Sequence, residues 1–121
     1  MRYQYTSKGF NNRFNQPTFT IPSGVKLLLI INIIVFVLIE LSGKRSTLFL
    51  SFGLVPSMVW TQLKIWQIFT YLFIHGGFFH IFFNMFVLWM FGKDLEQEWG
   101  KKDFLVFYFI CGVGAGIITI L

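Results

Sequence analysis

Both histidines of this chain, His75 and His80, and an asparagine, Asn84, lie within the apolar stretch "FIHGGFFHIFFNM". An unpaired polar group in hydrocarbon costs several kcal/mol. Three such side chains among so many phenylalanines therefore need partners, water or a task. His80 and Asn84 are four residues apart, which on a helix puts them on one face, a turn from each other. Gly76 and Gly77 stand between His75 and His80 and disfavour an unbroken helix there. Three chemistries fit these residue types. The pair can bond its helix to neighbouring helices, as polar side chains in membrane bundles do. Two histidines can ligate a metal or a haem, although no carboxylate or cysteine joins them and they are not an i, i+4 pair. Finally, an imidazole N–H and an amide N–H can face developing negative charge, where losing one donor costs about 2.7–4 kcal/mol of transition-state stabilisation. Spacing alone leaves all three open.

The elements that must hold these residues are membrane helices. The chain has 121 residues, enough for one domain, and 55% of them are hydrophobic against 12% charged. An ordinary soluble domain carries roughly 25% charged residues. Net charge is +5, but its distribution is that of a membrane protein. Arg2, Lys8, Arg13, Lys26, Lys93, Lys101 and Lys102 flank one side of the apolar runs, and Lys44, Arg45 and Lys64 the other. This follows the positive-inside pattern and argues against a nucleic-acid stripe. A single cysteine, Cys111, excludes an internal disulfide and a multi-cysteine metal site.

The sequence divides into a polar arm over 1–24 and a membrane domain over 25–121. Spans are expected at about 25–41, 78–95 and 104–121, with a first loop over 42–77. Lys26 and Glu40 stand at the ends of the first span, where they can snorkel, and Asn32 in its middle suits a bond to a neighbouring helix. Trp60, Lys64 and Trp66 give the first loop the mixed character of a segment in the membrane interface. The second apolar run stops at Gly92, and "GKDLEQEWGKKD" reads as a charged turn. The third reaches Leu121 without flanking charges, which predicts further helices beyond it. Its "GVGAG", Gly112 to Gly116, fits either close approach of another helix or a bulky neighbouring side chain.

The longer string "LVPSMVWTQLKIWQIFTYLFIHGGFFHIFFNMFVLWMFGKDLEQEWG" resembles the rhomboid family of intramembrane serine proteases. The resemblance rests on Trp66 in the first loop, "HGGFFHIFFN" from His75 to Asn84, and "FGKDLEQEWG" from Phe91 to Gly100, and it extends over about Gly53 to Gly116. It implies an all-α membrane fold in which three of six helices are present. It also implies that His80 and Asn84 support an oxyanion hole, and that His75, Gly76 and Gly77 form an active-site loop. Trp66 and Glu96 would be structural. Many members have Trp-Arg where this chain has Trp66-Gln67, which leaves the loop anchor unassigned.

The nucleophile of the family lies in a Gly-x-Ser-Gly motif on a later span and its base histidine later still. Neither occurs in these residues. Ser42, Ser46, Ser51 and Ser57 all fall in or beside the first loop, with no histidine spaced to activate one. By this resemblance the intact protein cleaves transmembrane substrates, while the 121 residues alone are inactive. The alternatives are an inactive rhomboid-like protein that binds membrane clients, or a three-span adaptor. No cofactor and no metal is implied. The expected partners are transmembrane protein substrates, the lipid bilayer and the remaining helices. The expected place is the inner membrane of a bacterium, with the N-terminus cytoplasmic.

Overall fold

A computed structural model describes residues 20–121, so most of the polar arm read over 1–24 lies outside the described residues. Past Pro22 the chain has a long leucine- and isoleucine-rich run without an internal proline, and it forms helix α1, Ser23–Ser42. The helix stops at Gly43, whose φ of 69° is left-handed and suits a residue lacking Cβ. Two further long helices follow the first loop: α5, Phe78–Trp99, and α6, Lys101–Ile120. Between α1 and α5 lie α2, Arg45–Phe52, α3, Pro56–Gln62, and the short α4, Gln67–Thr70, which continues into a 3₁₀ turn, Tyr71–Phe73. Among the described residues there is no strand. Helices α1 and α6 are each long and apolar enough to cross a membrane, and α5 joins them if counted with the segment Gln67–Phe73, bent 92° from it. The protein is an all-helical integral membrane protein.

The three long helices meet around Val25, Leu28 and Phe104, with Leu88, Leu95 and Tyr108 packed against them. In lipid, close packing and hydrogen bonds hold such contacts together, because the acyl chains are as apolar as the side chains. One polar contact secures this end of the bundle. Glu96 is buried, and its carboxylate accepts hydrogen bonds from the Gly24 and Val25 N–H groups at 2.6 and 2.9 Å. Those N–H groups belong to the first turn of α1 and have no partner within the helix. A negative group also suits the positive end of the α1 dipole. Gly24 lets the carboxylate approach, since a Cβ there would lie 2.8 Å from both oxygens.

The charged segment after Gly92 is not a turn. Helix α5 runs through it to Trp99, and the chain reverses at Gly100 alone, with φ of 87°. Gly92 is a packing residue inside the helix: a Cβ would stand 3.1 Å from both Phe104 and Val25. Asn32 also differs from expectation in part. Its amide donates to Leu28 O of its own helix at 2.7 Å, while the Tyr108 hydroxyl of α6 lies against it.

The "GVGAG" pattern is filled from within the chain. A Cβ on Gly112 would collide with Leu72, and one on Gly116 would lie 2.9 Å from Tyr71 and 3.1 Å from Ile68 O. The bent segment α4 and its 3₁₀ turn thus seat in a notch of α6, and the Tyr71 hydroxyl donates to Gly112 O at 2.5 Å. Of the two readings of this pattern, the bulky neighbouring side chain describes the packing found here.

Candidate active site

The segment leading from the notch to α5 is Ile74 to Gly77, too glycine-rich to continue either helix. The bend it makes changes the relation between the two histidines. Their ring centroids lie 5.2 Å apart, edge to face. A continuous helix would have turned them to different faces. His75 is buried, and its Nδ1 has no hydrogen-bond partner among the described residues.

His80, one turn into α5, folds back on the segment before it. Its Nδ1 accepts the Gly76 N–H at 3.2 Å. A nitrogen that accepts carries no proton, so the neutral ring holds its proton on Nε2 and presents a donor there. Asn84 follows one turn later, exposed like His80. Both line an open cavity of about 540 Å³ between α5 and α6, together with His75, Tyr71, Tyr108 and Cys111. Two polar donors thus share one wall of a mostly apolar chamber, where a hydrogen bond to an anion is worth more than in water.

Two residues that sequence reasoning missed hold this arrangement. Gln67 is fully buried. Its Oε1 accepts from Val55 N at 3.0 Å, and its Nε2 donates to Leu50 O at 2.8 Å. Beside it Trp66 Nε1 donates to Ser51 O at 2.8 Å, and Thr70 Oγ1 to Phe52 O at 2.6 Å. Three side chains of α4 and its approach thereby bind the stretch from Leu50 to Val55. The glutamine's amide carries both a donor and an acceptor and ties the end of α2 to the residue before α3. Arg45 is the second such residue: its guanidinium donates to the Gly76 carbonyl. Neither residue has a local pattern that betrays its partner, since the contacts cross 12 to 31 residues.

A family model described as the Rhomboid domain matches residues 62–121, the part of the chain that carries α4, the glycine turn, α5 and α6. The chain belongs to the rhomboid family. Among curated relatives it is 28% identical over 106 residues to Rhomboid protease GluP of Bacillus subtilis (strain 168), covering 86% of this chain and 20% of that protein. It is 37% identical over 65 residues to RHOMBOID-like protein 1 of Arabidopsis thaliana, covering 54% and 17%. It is also 32% identical over 81 residues to Inactive RHOMBOID-like protein 8 of the same plant, covering 67% and 23%. This rhomboid chain therefore spans about a fifth of the length of these relatives. The comparison with solved structures gives no match.

Proposed function

We propose that these residues form the oxyanion-binding part of an intramembrane serine endopeptidase that cleaves transmembrane protein substrates. The observation that carries the reading is the convergence of the His80 ring and the Asn84 amide on one cavity wall, with His80 Nδ1 engaged by Gly76 so that Nε2–H is the donor. In this scheme a serine attacks the scissile carbonyl, its proton passes to a histidine base, and the carbonyl oxygen becomes an anion. His80 and Asn84 donate to that oxygen. His75, Gly76 and Gly77 shape the loop beside it, while Trp66 and Glu96 brace the first loop and the start of α1. The serine and its base come from helices outside these residues, in keeping with the greater length of the relatives. The N-terminus is placed on the cytoplasmic side of the membrane and the first loop opposite, from the distribution of basic residues.

A second reading is supported by the likeness to a relative named as inactive. In it the cavity holds a transmembrane client without cutting it. Expression of the whole open reading frame with a fluorogenic transmembrane substrate separates the two. The protease reading expects turnover that falls about a hundredfold or more in Asn84→Ala while the protein's yield is kept. Binding of the substrate without any turnover overturns it. Cysteine labelling in a Cys111→Ala background is expected to reach Thr47→Cys from outside and Lys101→Cys from inside.

A further inference from the structure

The Gly76 backbone is held on both of its polar groups by side chains from different parts of the chain. Its N–H donates to His80 Nδ1 at 3.2 Å, and its carbonyl accepts from Arg45. Arg45 opens α2, immediately past the end of α1, and is itself placed twice more. Its Nε lies 3.8 Å from a carboxylate oxygen of Glu40 at the end of α1, and its guanidinium sits 5.2 Å over the Phe49 ring. Glycine has the widest backbone freedom of any residue, so a lone hydrogen bond to its N–H fixes it poorly. A second bond on the adjacent carbonyl removes the remaining freedom.

We propose that Arg45 is a positioning residue for His80: by holding the Gly76 carbonyl it keeps the Gly76 N–H on Nδ1 and so keeps the ring proton on Nε2. The inference rests on the protease reading only for its catalytic consequence; the effect on the ring stands without it. Glu40 serves the same end one step further out, by orienting Arg45. If the Arg45 bond is lost, Gly76 can turn away, nothing then selects the tautomer, and a fraction of rings carries the proton on Nδ1 with no donor toward the cavity. Arg45→Lys keeps the charge and can donate one hydrogen bond, so it restores much of the effect, whereas Arg45→Ala does not.

The test has two arms. In the first, the product of the complete open reading frame labelled with ¹⁵N-histidine is placed in lipid nanodiscs, and the ring nitrogens are read by NMR, with the signals lost in His80→Gln assigned to His80. The wild type is expected to show one His80 tautomer with hydrogen on Nε2. Arg45→Ala is expected to show both tautomers, and Arg45→Lys mainly the first. A single Nε2–H tautomer in a helical Arg45→Ala protein overturns the inference. In the second arm, the complete open reading frame is assayed for proteolysis. Arg45→Ala should lower kcat about tenfold with KM unchanged, less than removal of an oxyanion donor itself. An unchanged kcat in Arg45→Ala also overturns it. Absence of proteolysis by the wild type counts against the protease reading alone, and the ring spectrum then decides the role of Arg45.

Discussion

The two ends of helix α5 carry polar residues in opposite states. Near its C-terminal end Glu96 is buried, and both carboxylate oxygens are taken by the first N–H groups of α1. Near its N-terminal end His80 and Asn84 are exposed to a cavity, and His80 uses one ring nitrogen locally while the other keeps its proton for something else. The helix is the same, but its two ends use their hydrogen-bonding groups differently. A polar side chain whose capacity is exhausted by the backbone of its own fold is holding that fold together. One with a donor left over, facing a chamber, is available for chemistry.

Substitution distinguishes the two ends. Glu96→Ala removes two hydrogen bonds to a charged group and strands two N–H groups in the bundle, so it should cost about 3–5 kcal/mol in reversible unfolding in mixed micelles. Glu96→Gln retains one acceptor and should cost about half as much. A loss below about 1 kcal/mol for Glu96→Ala would abolish the contrast. Gln67→Ala comes next, at about 1–3 kcal/mol, because Val55 N–H and Leu50 C=O lose their partner. Its signature is faster hydrogen exchange confined to the stretch from Leu50 to Val55. Gly112→Val should cost a similar or smaller amount, about 1–3 kcal/mol, by pushing Leu72 out of its notch. Protease nicking near Tyr71 should rise with it. Asn84→Ala is expected to change stability least, within about 0.5 kcal/mol, since the side chain is exposed. A large loss there would move Asn84 into the same class as Glu96.

What the sequence displayed follows from how far each interaction reaches. The i, i+4 spacing of His80 and Asn84 is local, and a helix converts it directly into a shared face. The apolar runs of α1 and α6 are local as well. Glu96 drew attention through its place in a family pattern, but its partners lie 71 and 72 residues away, beyond any periodicity. Gln67 looked like a departure from that pattern, yet its amide ties the loop through both of its polar atoms. Gly92 was misread because a glycine before charges resembles a helix end, and only the approach of Phe104 and Val25 gives it another purpose. Arg45 gave no sign, being one basic residue among three in a loop.

The connection between α5 and α6 is a single residue, Gly100. A link that short leaves the two helices no room to drift apart once both are folded. The link keeps the two helices side by side, so the wall bearing His80 and Asn84 has α6 as its fixed neighbour. A longer link would add loop-closure entropy to the pairing of the two helices, a cost that the single glycine keeps small.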